Sequence, residues 1–190
     1  MTRYNGLVRT STLLRAEEFA RVAEVLGPCE LVNGEIIPMS PGGFRHSKVT
    51  VRASFLLEAH NQAHRLGHVL AGEAGIIVRR GPDTVRSADV AFISYQRLPR
   101  DTRISGFLEQ APELIIEVLC DETSWSEMET KIGEYHAAGV DLVWVLDPRT
   151  LSLRAYPRGV PPVLLREPDT ASADPHMLGF SCRVADFFAD

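Results

Sequence analysis

Lysine is scarce in this 190-residue chain. Of its 20 basic residues, only Lys48 and Lys131 are lysines; the rest are arginines. Chemistry that needs an ammonium group therefore has two candidate positions. Cysteine is equally sparse: Cys29, Cys120 and Cys182 lie far apart, are odd in number and show no C-x-x-C spacing. That argues against a thiolate zinc site or a disulfide framework, and free thiols suit a reducing cytoplasm. No apolar run approaches the ~20 residues that span a bilayer. The opening stretch MTRYNGLVRTSTLLRAEEFARV lacks the apolar core of a signal peptide. A soluble, cytoplasmic protein with no membrane partner is expected. An excess of basic charge is missing as well. With 25 acidic residues the formal net charge is −5, which argues against a charge-driven nucleic-acid coat. The chain is 45% hydrophobic and 24% charged, as ordinary globular proteins are. No repeat, low-complexity tract or linker divides residues 1–190, so a single domain is expected.

The pattern that is present reads as an α/β chain. Residues 10–26 form an amphipathic helix, capped by Thr10, Ser11 or Thr12 and stopped by Gly27-Pro28. Glu30–Met39 is two short apolar runs around Asn33-Gly34, a strong hairpin signal. Ser40-Pro41-Gly42-Gly43 breaks it, and a helix from about Phe44 to Leu66 follows. Val49, Ala53, Leu56 and Ala63 share one face of that helix, and Val51, Phe55 and Leu66 add a second apolar flank, so a largely buried helix is predicted. Strand-like runs follow at His68–Ala71, Gly75–Arg80 and Val85–Ser94, then a polar loop over residues 95–111. Glu113–Leu119 is apolar on both faces, as a central strand is. A helix over residues 127–138, a buried strand at Val140–Leu146, strands at Leu151–Tyr156 and Val163–Glu167, and a tail, LGFSCRVADFF, that folds back onto the body complete the reading. A helix, a three-strand meander, a helix and a strand make an α/β sandwich, here preceded by a helix and hairpin and followed by extra strands.

Two carboxylates stand inside apolar strands: Asp89 in SADVAFI and Glu117 in ELIIEVL. An unpaired buried carboxylate costs several kcal/mol, roughly, so each needs a cation, a metal or hydrogen bonds. One reading is a salt bridge to one of the many arginines. The other is a hard-metal site, since Mg²⁺ takes one or two protein carboxylates and leaves its other places to water and phosphate. Strand alternation points Leu119 to the same face as Glu117. A nuclease that uses a lysine two residues after its glutamate would need lysine at that position. The nearest lysine is Lys131, on the next helix, where Lys131, Tyr135 and Ala138 share a face. It is either a solvated surface lysine or an ammonium that reaches the Glu117 strand.

These residues carry a resemblance. The stretches ELVNGEIIPMSPGGFRHSKV, VRSADVAFI, APELIIEVL, KIGEYHAAGVDLVWVLDP and LGFSCRVADFF resemble, in order, the Uma-two family of restriction endonucleases, within the PD-(D/E)XK nuclease-like superfamily. The resemblance covers about residues 10 to 188 and implies a restriction-endonuclease-like core and metal-dependent cleavage of DNA phosphodiesters. Residue by residue it implies Asp89, Glu117 and Lys131 as the catalytic set, with Lys131 replacing the lysine missing at Leu119. Asp89 and Glu117, with the backbone carbonyl of Val118, would hold Mg²⁺, with Mn²⁺ as a substitute, and Lys131 would orient the attacking water. Glu30 and His46 match supporting positions. The chain departs from the family at Ala88, where proline is usual, and at Cys120-Asp121, where Ser-Pro is usual.

Arg45, Lys48 and Arg52 form a basic stripe suited to weak DNA contact, and Arg79, Arg80, Arg86, Arg97, Arg100 and Arg103 flank the Asp89 strand and its loop as a basic rim. No sequence-reading motif is visible. Asp121 and Glu122 are candidates for the site's rim, and Trp125, in an exposed loop, for base stacking. His60, His64 and His68 are spaced by four but have no acid as a third ligand. A Mg²⁺-dependent endodeoxyribonuclease is the leading expectation. A catalytically silent nuclease-fold module that binds DNA or a protein partner is the alternative, and a hydrolase of another phosphate ester is a third. Cutting two strands favours a homodimer.

Overall fold

Asn33 and Gly34 both adopt the left-handed backbone, with φ of 54° and 80°, as the tightest hairpin turn requires. They join β1 (Cys29–Val32) to β2 (Glu35–Pro38). The structure is a computed structural model that describes residues 13–120 and 124–189. It contains α1 (Ala16–Leu26), α2 (Phe44–His64) and α3 (Trp125–Ala138). The remaining strands are β3 (Gly67–Arg79), β4 (Thr84–Ser94), β5 (Leu114–Val118), β6 (Leu142–Asp147), β7 (Ser152–Pro157), β8 (Val163–Arg166), β9 (Thr170–Ser172) and β10 (Ser181–Arg183). A 3₁₀ turn follows at Val184–Phe187.

The main sheet runs β2-β1-β4-β5-β6-β7-β8, with β3 also paired to β4. Its one parallel pair among the described residues is β5 with β6, which α3 connects; a parallel pair requires such a crossover. Helix–meander–helix–strand is thus the order of α2, β3, β4, β5, α3 and β6, as the sequence predicts. Val49, Ala53 and Leu57 of α2 pack on one face of the sheet, over Phe92, Ile116 and Trp144. The C-terminal tail closes that core with Phe180, Val184 and Phe187, the fold-back expected of LGFSCRVADFF. On the other face Met128, Ile132 and Tyr135 of α3 pack over Ala91, Ile115 and Val143.

Four details differ from the sequence reading. The first concerns α2, which is half-buried rather than largely buried. Its inner face is Val49, Ala53, Leu57 and Asn61, while Val51 and Phe55 are exposed. A helix lying on a sheet buries one face, so Val51 and Phe55 point away from it; Leu66, past the helix end, packs on the core, and Ala63 of the expected inner face is exposed. Next, the two runs before β4 are one strand, β3, interrupted by a register shift between Ala71 and Ala74. Trp125 opens α3 rather than sitting in a loop, and the Arg154 guanidinium lies 4.6 Å from its ring centroid. Finally, the short β9–β10 pair carries no signal in its polar sequence. Thr10, Ser11, Thr12, Asp121 and Glu122 lie outside the described residues.

α1 starts at Ala16 rather than residue 10, so its N-cap is Arg15 and not Thr10, Ser11 or Thr12. Glu18 Oε2 accepts the Arg15 N–H at 2.8 Å, and a second capping carboxylate comes from far along the chain. Asp83 Oδ2 accepts the Ala16 N–H at 2.8 Å, and the same carboxylate accepts from Gly81 N–H at 3.2 Å and Arg80 at 2.9 Å. Burial works to raise its pKa, but these donors outweigh it and hold the carboxyl below its ordinary value. Replacing Asp83 with alanine should therefore lower stability by about 1–3 kcal/mol at neutral pH. Because the folded pKa is depressed, this contribution is complete above the unfolded value of about 3.9 and is lost as pH falls through the folded one. Urea unfolding of both proteins should show the gap closing on acidification. A gap unchanged down to the lowest pH would assign the effect to packing instead.

Candidate active site at a fork in the sheet

β1 and β5 run along the same edge of β4. β1 pairs at Val85 and β5 from Val90 to Phe92, so the ladder on that edge is interrupted over residues 86–89. Backbone groups at such a gap need other partners, and acidic and basic side chains supply them. Ser87 N–H donates to Glu30 Oε1 at 2.9 Å, Ser87 O accepts from Lys131 Nζ at 2.8 Å, and Val118 N–H donates to Asp89 Oδ2 at 2.8 Å. On the opposite edge Ala71 pairs with Val90 and Ala74 with Ala88. Gly72 and Glu73, both at positive φ, therefore stand against Asp89 alone. This β-bulge and the fork together set Asp89 apart from the regular alternation of β4.

Glu117 is 3% exposed. Its Oε2 lies 3.1 Å from Lys131 Nζ, and its Oε1 accepts from the Tyr135 hydroxyl at 2.7 Å. Burial first, and then the Asp89 and Glu30 charges, push the Glu117 carboxyl up to about 7, against the pull of Lys131 and Tyr135. Burial opposes the charge on Lys131, but Glu117, Glu30 and Asp89 outweigh it and hold the ammonium above its ordinary value. Burial, followed by the Glu117 charge, raises the Tyr135 phenol well above its own, so it stays a donor. Glu30 Oε1 is 3.1 Å from the same ammonium, and Glu30 Oε2 is 2.6 Å from Arg86, whose Nε meets Glu134 at 2.5 Å. Burial would raise the Glu30 pKa, yet Lys131 and Arg86 hold it below its ordinary value. His46 Nε2 approaches the two Asp89 oxygens at 3.2 and 3.3 Å. That hydrogen bond, opposed by burial, raises the His46 pKa.

These groups line an open cavity of about 470 Å³, walled by Ile37, Pro38 and Met39 of the hairpin segment and by Met128 and Thr130 of α3. Five carboxylates of the lining, Glu30, Glu73, Asp89, Glu117 and Glu127, face two permanent cations, Arg86 and Lys131, and Arg86 is shared with Glu134 outside the lining. Acidic groups outnumber the permanent cations here, an excess that a divalent cation would offset. No three His, Cys, Asp or Glu side chains among the described residues form a closed metal cage. Two carboxylates beside open space fit a Mg²⁺-like ion that keeps its water and takes phosphate oxygens.

The sequence matches the model of the Uma2 family, described as "putative restriction endonuclease", over residues 16–185. The chain belongs to the Uma2 family. Its fold is also that of a solved structure described as a "putative nuclease belonging to DUF820" from Anabaena variabilis ATCC 29413. That protein is 18% identical, with a TM-score of 0.79, covering 92% of this chain and 97% of the other. No curated protein matches the sequence.

This Uma2 chain brings Asp89, Glu117, Lys131, Glu30, His46 and Val118 to one cavity. Leu119 is buried under α3 with Met128, Ile132 and Tyr135, which leaves the approach to Glu117 to Lys131. Ala88 is buried in the β3–β4 ladder opposite Ala74, so losing the usual proline leaves Asp89 in place. Arg45, Lys48 and Arg52 lie on α2 outside the cavity lining, and Arg52 Nε donates to the Asp186 carbonyl at 3.2 Å. The basic rim needs correction. Arg86 is buried between Glu30 and Glu134, Arg80 is shared by Glu17, Asp83 and Glu109, and Arg97 is tied to Glu113 and Asp141. Sequence counts these arginines as free charge because their acidic partners, Asp83 beside Arg80 excepted, are far along the chain. It also gives no weight to Tyr135 as a partner of Glu117, although its spacing of four from Lys131 is the available signal. No helix among the described residues is long and apolar enough to cross a membrane.

Proposed function

We propose that this protein is a divalent-metal-dependent endonuclease that hydrolyses DNA phosphodiesters, working in the cytoplasm with Mg²⁺, or Mn²⁺ in its place. The observation that carries the reading is the approach of Lys131 Nζ to Glu117 Oε2 at 3.1 Å, beside Asp89 at the fork. Asp89, Glu117 and the Val118 carbonyl would hold the ion. When bound, it supplies Lewis-acid activation of the scissile phosphodiester. Val118 N–H and His46 hold the Asp89 carboxylate from two sides. Tyr135 fixes one oxygen of Glu117. Lys131, anchored to Ser87 O and Glu30, favours the ionised form of Glu117 against burial, orients the attacking water and offsets charge that builds on the phosphorane. Glu30 supports it by setting the position of the ammonium.

One observation favours the alternative of a silent module: both Glu117 oxygens already have protein partners. A nicking assay separates the two. Supercoiled plasmid with Mg²⁺ or Mn²⁺ should be nicked by the purified chain, and chelation with EDTA should stop the reaction until metal is restored. Glu117→Ala should lower the rate at least 10²–10³-fold, on the order expected for loss of one charge-stabilising group. Equal nicking by wild type and Glu117→Ala would trace the activity to a contaminant. Metal-independent binding of plasmid without nicking would establish the silent module.

A further inference from the structure

The outer face of α2 carries an unusual load for a solvent-facing helix. Phe44 is 83% exposed, Val51 67% and Phe55 59%. Large apolar side chains exposed together on one helix face point to an interaction site. The inner face is taken by Val49, Ala53, Leu57 and Asn61, and one flank by the C-terminal tail, through Arg52 to the Asp186 carbonyl and His60 to the Leu178 carbonyl. The residues opposite the inner face are Phe44, Lys48, Val51, Phe55, Glu58 and Gln62. Lys48 and Glu58 are half-buried, and the Glu58 carboxylate accepts from the neutral amides of Asn61 at 3.2 Å and Gln62 at 3.1 Å, which leave its charge unneutralised. Their spacing alternates between four and three, the seam of a coiled coil.

We propose that this seam packs antiparallel against the same seam of a second copy of the chain, about a two-fold axis that passes level with Ala53. Charge selects both partner and direction. In the antiparallel register Lys48 meets Glu58 of the other copy, Val51 meets Phe55, and Phe44 meets Gln62, each pair occurring twice. A parallel pair would set Lys48 against Lys48 and Glu58 against Glu58. The seam is thus self-complementary in one direction, as a two-fold interface must be. A polar residue at a seam position fixes register at some cost in stability, the role this assigns to Lys48. The inference stands apart from the proposed catalytic activity.

Light scattering on the full chain tests it. The wild type should have the mass of a dimer at micromolar concentration. Phe55→Glu, or Val51→Glu as an independent disruption, should give a monomer with an unchanged circular dichroism spectrum. Lys48→Glu and Glu58→Lys should each be monomeric alone and form a dimer when mixed, because both contacts are then opposite in sign. Positions 48 and 58 of one helix are about 15 Å apart, so rescue on mixing cannot arise within a single chain. A monomeric wild type, a dimer indifferent to these substitutions, or charge variants that fail to associate when mixed would each overturn the proposal. A monomer in which Lys48→Glu weakens binding to a duplex oligonucleotide would assign the face to DNA.

Discussion

Lys131→Met should abolish plasmid nicking and also destabilise the fold by about 3–5 kcal/mol, the usual result of removing one partner from a buried ion pair. The ammonium is bonded to Ser87 O and lies 3.1 Å from carboxylates of both Glu30 and Glu117. Methionine fills similar volume but leaves the Ser87 carbonyl without this donor and two buried carboxylates without the ammonium, with only Tyr135 still donating to Glu117 and Arg86 and Ser87 to Glu30. A loss of activity from this variant alone would therefore confuse catalysis with folding. The double variant Lys131→Met/Glu117→Gln separates them. It removes one of the stranded charges, so thermal unfolding should show part of the lost stability regained, while nicking stays absent. The coupling between the two sites should be large, as for residues in direct contact. Nicking by Lys131→Met at the wild-type rate, in protein shown to be folded, would remove Lys131 from the mechanism.

Much of this site can be read from local pattern. The Asn33-Gly34 turn announces its hairpin, and the apolar run around Glu117 announces a central strand with a carboxylate in it. Alternation along that strand sets Leu119 on the side of Glu117 and so directs attention to a lysine elsewhere. What cannot be read is long-range pairing. The fork depends on β1 and β5 meeting the same edge of β4, and no residue of β4 encodes that alone. The same limit explains the arginines. Arg86 looks like rim charge because its partners, Glu30 and Glu134, stand 56 and 48 positions away. For α2, composition shows two apolar flanks but not which one meets the sheet; the answer comes from the side on which β4 and β5 offer Phe92, Leu114 and Ile116.

Arg86→Met tests that correction directly, with an expected loss of about 3–5 kcal/mol. The Arg86 side chain is 13% exposed and Glu30's 7%, so little water remains to solvate Glu30 once the guanidinium is gone. The planar fork of arginine reaches Glu30 through one nitrogen and Glu134 through another. Lysine, a single point charge, cannot bridge both in the same way, so Arg86→Lys should recover only part of the loss. Removing the stranded charge is the more effective remedy, and Arg86→Met/Glu30→Gln should be more stable in urea than Arg86→Met alone. A rim arginine that held phosphate would behave in the opposite sense. Its loss would leave unfolding unchanged, weaken DNA binding and reduce the salt dependence of that binding by about one counterion. Because Glu30 also anchors Lys131, the damage should spread to the site. Nicking should fall in Arg86→Met even where the protein remains folded, through a displaced ammonium rather than a lost contact with DNA.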